Sequence, residues 1–254
     1  MESITVDGTT LEVRRWPGDD AGPALLLLHE GLGCVELWRD VPELLREATG
    51  LEVVAYSRRG YGGSDPRPLP WPVEYMHDEA ALLPDIVDAL GLDRFFVIGH
   101  SDGASIAIIA AGRGDLEGLE GLVLLAPHVF AEPHGLAAIR RAGDAYRTGD
   151  LRRRLERYHR EVDVAFWGWH DAWTHPDFRR WNLEAFLPDL EVPVLLVQAE
   201  EDPYGTLAQL DAIEAGVSGP VDRLVLPGDD HAPHRAHPGL VVDRIARFVG
   251  RVAS

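Results

Sequence analysis

The chain has 254 residues, 46% of them hydrophobic, and a formal net charge of −18. That length suits one large domain, or a core with one insertion, and leaves ample apolar material for a core. The charge argues against nucleic acid or an anionic membrane as a main partner, because like charges repel. The single cysteine, Cys34, excludes an internal disulfide. All 24 basic residues are arginine, so Schiff-base chemistry, a P-loop lysine and a Ser-Lys dyad are closed to it. No signal pattern and no apolar run of membrane-spanning length is apparent, and a cytoplasmic location is the expectation.

In chain order, "SITVDGTTLEVRRW" alternates and breaks at Asp7-Gly8, which predicts a hairpin of edge strands. "PALLLLHE" (23–30) is a continuous apolar run, as in a strand buried on both faces. "VELWRDVPELLREA" has helical spacing, with Leu37, Val41, Leu44 and Leu45 on one side. "LEVVAYS" (51–57) predicts the next strand and a glycine-rich loop follows it. Residues 74–90 return to helical period, with Pro84 expected to kink or split the helix. Strand "RFFVIG", helix "DGASIAIIAAG" and strand "LEGLVLLAP" (119–127) come next. Strands alternating with helices imply a mostly parallel, doubly wound α/β sheet.

After Pro127 the alternation stops for about sixty residues. "LRRRLERYHREV" puts Leu151, Leu155, Tyr158 and Val162 on one helical stripe. Trp167, Trp169, Trp173 and Trp181 then crowd into "FWGWHDAWTHPDFRRW". Alternation resumes with strand "VPVLLVQAEED", a helix around 205–215, strand "DRLVLPGDD" and a last helix, "PGLVVDRIARFV". The expected division is a core of 1–127 and 191–254 interrupted by a helical cap at 128–190.

Gly-x-Ser-x-Gly at 99–103 is a weak motif alone, and Ser101 could simply cap the following helix. Its place between a buried strand and a helix strengthens it, because the flanking glycines permit a tight turn that lifts the hydroxyl clear. In an open parallel sheet, ligand sites collect past the carboxyl ends of strands. There the chain carries Glu200-Glu201-Asp202 after one later strand and His231 after the next. A serine, an acid and a histidine in that order suit nucleophilic catalysis.

The pieces "LLLLHEGLG", "AYSRRGYGGSD", "VIGHSDGAS", "VQAEEDPYGT" and "GDDHAPHRAHP" together resemble the α/β-hydrolase superfamily over nearly the full length. The nearest likeness is to the bacterial esterase-like and meta-cleavage-hydrolase-like group. The resemblance implies Ser101 as nucleophile, Asp202 as acid and His231 as base, with Glu200, Glu201 and His234 as rivals. It implies an oxyanion hole from the N–H groups of Gly31 and Asp102, no cofactor and no metal. Glu30 stands where the family has glycine, and Asp229-Asp230 where a small residue is usual before the histidine. An epoxide hydrolase or dehalogenase of this fold would need aspartate in place of Ser101.

The expected activity is hydrolysis of a small carboxylic ester or related acyl compound, a small-molecule substrate. C–C hydrolysis of a vinylogous diketone, perhydrolysis and low-turnover ligand binding are the alternatives. Glu30, Trp167, Trp169 and Trp173 are the candidate pocket residues, although tryptophans there also serve to bury a cap on the core. "GLG" and "GYGG" lack the rest of a dinucleotide fingerprint, and Pro233 and Pro238 break any common face for His231, His234 and His237 as metal ligands. Arg58 and Arg59 read as loop-fixing residues rather than substrate clamps.

Overall fold

The computed structural model describes residues 2–19 and 22–253, so Met1 and Ser254, the outermost positions of the expected core, lie outside it. The hairpin forms as strands β1 (Glu2–Val6) and β2 (Thr9–Trp16), turning at Asp7-Gly8. β3 (Ala24–Leu28) and β4 (Val53–Tyr56) are buried throughout. β5 (Phe95–His100), β6 (Leu119–Leu125), β7 (Val194–Ala199) and β8 (Val221–Leu226) complete a sheet of order β1-β2-β4-β3-β5-β6-β7-β8. β1 and β2 are antiparallel to their neighbours and the remaining pairs are parallel.

Alternate side chains point to opposite faces of a strand, and here both faces are apolar. Leu26, Leu28, Val54 and Val97 pack on one side, beneath α2 (Tyr75–Leu90) and α3 (Asp102–Gly112). Leu25, Leu27, Val53 and Ile98 pack on the other, beneath α1 (Val41–Thr49) and the last helix, Pro238–Val252. That two-sided burial makes the central strands read as uninterrupted apolar runs.

The helices depart from expectation in places. The helix proposed from residue 35 breaks at Arg39, whose φ is +53°, into a 3₁₀ turn (Val35–Trp38) and α1. Trp38, rather than Leu37, is the buried anchor of that turn, and Pro42 sits in the first turn of α1, where a missing N–H costs nothing. Of the kink or split expected at Pro84, the split does not occur: α2 runs through it, and buried Leu83, Ile86, Val87 and Leu90 hold both halves on the core.

Between β6 and β7 the chain leaves the sheet as α4 (Pro133–Thr148), α5 (Leu151–Leu155) and α6 (Val162–Thr174), followed by 3₁₀ turns at Pro176–Arg180 and Glu184–Asp189. The stripe from Leu151 to Val162 is therefore not one helix. Residues 159 and 160 are drawn onto the loop after β4: His159 Nδ1 accepts from Gly62 N–H at 3.0 Å and Arg160 N–H donates to the Gly62 carbonyl at 2.9 Å. After β7 come α7 (Ala208–Gly216), then α8 (Pro233–Ala236) and α9 (Pro238–Val252) beyond β8. Among the described residues no helix is long and apolar enough to cross a membrane.

Candidate active site

The parallel register aligns the carboxyl ends of β3, β5, β6, β7 and β8, and each is followed closely by a chemically capable side chain. Ser101 sits between β5 and α3 with φ +52° and ψ −117°, a conformation that costs a non-glycine residue about 1–3 kcal/mol. The turn holds because the chain passes close on both sides. A Cβ at Gly99 would lie 2.6 Å from the Ala104 backbone, and one at Gly103 only 2.0 Å from the Leu28 carbonyl oxygen. Ser101 Oγ makes no capping hydrogen bond to α3. Instead it lies 2.9 Å from His231 Nε2, whose other nitrogen, Nδ1, lies 2.8 and 2.9 Å from the Asp202 oxygens. An ionised carboxylate only accepts, so Nδ1 carries the proton and Nε2 is free to accept from the serine hydroxyl.

Asp202 is buried. Burial opposes its ionisation, but the hydrogen bond and charge of His231 and the Tyr204 N–H at 2.9 Å outweigh it, holding the carboxyl below its ordinary value. Glu200 and Glu201 are exposed and stand outside this arrangement. His234 is also apart from it, buried against Trp38 and His100 with ring centroids at 5.0 and 4.7 Å, and burial pushes its pKa well down. Asp230 shapes the loop that carries His231, its Oδ1 accepting from Ala232 N–H at 2.8 Å.

A cavity of about 120 Å³ opens above Ser101. Glu30, Gly31, Asp102, Trp169, Trp173 and His231 all line it, together with His128 and Tyr204. Trp167 does not. It packs away from the cavity against Tyr146, Phe166 and the Arg147 guanidinium, so its place among the pocket residues is corrected. Neither Gly31 N–H nor Asp102 N–H has a hydrogen-bond partner among the described residues. The Gly31 loop is fixed from below by fully buried Arg58, which donates to the carbonyls of His29 and Glu30, the latter at 3.1 Å.

Several residues of the site escape the sequence reading. His128 lies three residues past the end of β6 and packs at 5.7 Å from the His231 ring and 5.4 Å from Trp173; burial pushes its pKa down to about 4. Its position past a strand end was the available signal. Tyr75 donates to Asp102 Oδ2 and accepts from Trp173 Nε1 at 2.9 Å, tying α2, α3 and α6 together. Nothing local marks that chain of bonds. Burial pushes the Asp102 carboxyl up, opposed by Arg58 3.9 Å away and by the Tyr75 hydroxyl. Among the described residues no three His, Cys, Asp or Glu side chains are grouped to hold a metal ion.

A sequence profile of the alpha/beta hydrolase family matches residues 25–244, spanning every one of these positions. The chain belongs to the alpha/beta hydrolase family. Family relatives include 2-succinyl-6-hydroxy-2,4-cyclohexadiene-1-carboxylate synthase of Salmonella agona, 29% identical over 66% of this chain and 60% of that enzyme. N-formylmaleamate deformylase of Pseudomonas putida is 28% identical over 78% of this chain and 77% of that enzyme. For the first few curated relatives the match spans only 40–60% of their length. Solved structures superpose along nearly the whole chain. A hydrolase from Pseudomonas aeruginosa PA01 gives a TM-score of 0.75 at 20% identity, covering 97% of both chains. The enol-lactonase from Burkholderia xenovorans LB400 gives 0.73 at 20% identity, covering 98% of this chain and all of that one. At that identity the likeness shows the alpha/beta hydrolase fold alone.

Proposed function

We propose that this protein is a serine hydrolase of a small carboxylic ester or related acyl compound. The observation that carries the reading is the unbroken line Ser101 Oγ, His231 Nε2, His231 Nδ1, Asp202, with links of 2.8–2.9 Å. In the reaction Ser101 Oγ attacks the acyl carbon while its proton passes to His231 Nε2. Asp202 keeps the ring in the tautomer that can accept it and stabilises the imidazolium that forms. The carbonyl electron pair moves onto oxygen, where the free N–H groups of Gly31 and Asp102 meet it, each such donor being worth about 2.7–4 kcal/mol. Collapse expels the alcohol, which takes the proton from His231. Water then attacks the acyl-enzyme by the same route and releases the acid.

The segment 128–190 acts here as a cap: α4 supplies Ile139 and α6 supplies Trp169 and Trp173 to the roof of the cavity. A volume of about 120 Å³ favours short acyl groups. The relatives do not decide the substrate, since their names cover both a synthase and a deformylase. The test is a series of p-nitrophenyl esters from acetate to decanoate with wild-type protein and Ser101→Ala. Short esters are turned over fastest, and Ser101→Ala lowers kcat at least about 10⁴-fold with the fold intact by circular dichroism. A Ser101→Ala protein with wild-type turnover refutes the reading.

A further inference from the structure

Two acidic residues, Glu30 and Asp102, are among those that line the cavity. Among the described residues no arginine lines it. Arg58, beneath the floor, is fully buried and engaged with two backbone carbonyls and the Asp102 carboxylate. Asp102 is itself 1% exposed, with Oδ2 taken by the Tyr75 hydroxyl. His128 remains uncharged above about pH 5, because burial pushes its pKa down to about 4.

Glu30 is different. Its side chain is 22% exposed, and the residue is one of those lining the cavity. Oε2 is anchored, 3.4 Å from His100 Nδ1 and packed so tightly on Gly33 that a Cβ there would lie 2.3 Å from it. Oε1 has no side-chain partner among the described residues. Burial opposes ionisation, yet the hydrogen bond and charge of His100 hold the carboxyl far below its ordinary value. The next residue, Gly31, is covered by the Trp169 indole, whose Nε1 would be 2.1 Å from a Cβ at that position. A fixed carboxylate and an indole thus belong to neighbouring parts of the cavity lining, which Trp173 and Tyr204 share.

A carboxylate flanked by aromatic rings attracts an organic cation, the first through its charge and the second through their electron-rich faces. The overall charge of −18 draws cations toward the protein in the same sense. We propose that Glu30 and Trp169 make this cavity select small acyl substrates that carry an ammonium group, and discriminate against isosteres that carry a carboxylate. The proposal names the substrate class for the serine-hydrolase reading and rests on it.

The test compares three ethyl esters: ethyl β-alaninate (ammonium) and ethyl butanoate (neutral), which have the same number of heavy atoms, and the slightly larger monoethyl succinate (carboxylate). The wild-type protein is expected to show kcat/KM for the ammonium ester about tenfold above the neutral one, with the carboxylate ester lowest. Glu30→Gln, which keeps size and hydrogen-bonding capacity, brings the ammonium-to-neutral ratio to within about threefold of unity. If Glu30 merely shapes the loop, the variant lowers both rates alike and the ratio stands, which overturns the proposal. A wild-type preference for the neutral or carboxylate ester overturns it as well.

A second measurement does not depend on turnover. Tryptophan fluorescence titrations of Ser101→Ala should show ethyl β-alaninate binding about tenfold tighter than ethyl butanoate, and Glu30→Gln in that background should remove the difference. Equal binding of the two esters sinks the ammonium proposal while leaving the hydrolase reading intact. Selective binding by a wild-type protein that hydrolyses none of the esters has the opposite meaning.

Discussion

Gly31→Ala puts a single methyl group into the tightest point of the proposed oxyanion hole. A Cβ at residue 31 would lie 2.1 Å from Trp169 Nε1 and 2.4 Å from its Cδ1, against an ordinary contact of 3.4 Å or more. More than an ångström must be recovered, by moving either the indole or the Gly31 amide. The amide sits on a loop pinned by Arg58 through the His29 and Glu30 carbonyls, and the indole belongs to α6, which is itself anchored through Trp173 and Tyr75. Neither side yields freely. Misplacement of a reacting group by about 1 Å costs ~10²-fold, and outright loss of one oxyanion donor costs ~10²–10³-fold in kcat. Gly31→Ala should therefore lower kcat on a short p-nitrophenyl ester by about 10²-fold, with KM changed far less. The cause is checked by a double-mutant cycle with Trp169→Ala. Removing the indole should return at least about tenfold of the loss, measured against Trp169→Ala alone. A Gly31→Ala protein with wild-type kcat would refute the placement of the donor. A loss that Trp169→Ala leaves untouched would refute the steric argument.

Asp202→Asn should keep the fold while lowering kcat by roughly 10⁴-fold, because an amide can stabilise the wrong tautomer of His231 and offers no charge to the imidazolium; kinetics on the same ester reads this out. Stability should depend on pH through His128. Its pKa falls from the ordinary 6.5 to about 4 on folding, so the unfolded chain binds more protons between those values. The contribution is complete above about pH 6.5, falls away as pH drops toward 4, and is worth about 3 kcal/mol. Urea denaturation at several pH values should show His128→Gln with a shallower slope in that window than wild type. Parallel slopes would contradict the assignment.

The order of core elements was legible because a strand buried on both faces announces itself locally, as "ALLLL" and "FFVIG" do. The placement of Ser101, of a carboxylate within 200–202 and of His231 was legible for a related reason, while the choice of Asp202 rested on the family resemblance. Each lies within a few residues of a strand's carboxyl end, and parallel register alone brings the strand ends to one edge. The helical excursion was less so. Leu151 to Val162 has the spacing of one helix, yet tertiary bonds from His159 and Arg160 to Gly62 interrupt it, and Gly62 is nearly a hundred residues away. Trp167 and Trp169 are close neighbours on α6 but face different surroundings, because the helix turns about 100° per residue and only one flank meets the cavity. The Tyr75–Asp102 bond joins two helices whose pairing no local pattern encodes.

The central claim is that Ser101 is an activated nucleophile. A fluorophosphonate probe reacts covalently only with such a serine, and intact-mass analysis followed by peptide mapping locates the adduct. One adduct per chain, on the peptide containing Ser101 and formed far more slowly in His231→Ala, is the predicted result. An unlabelled Ser101 in protein that hydrolyses esters, or an adduct on another residue, would contradict it.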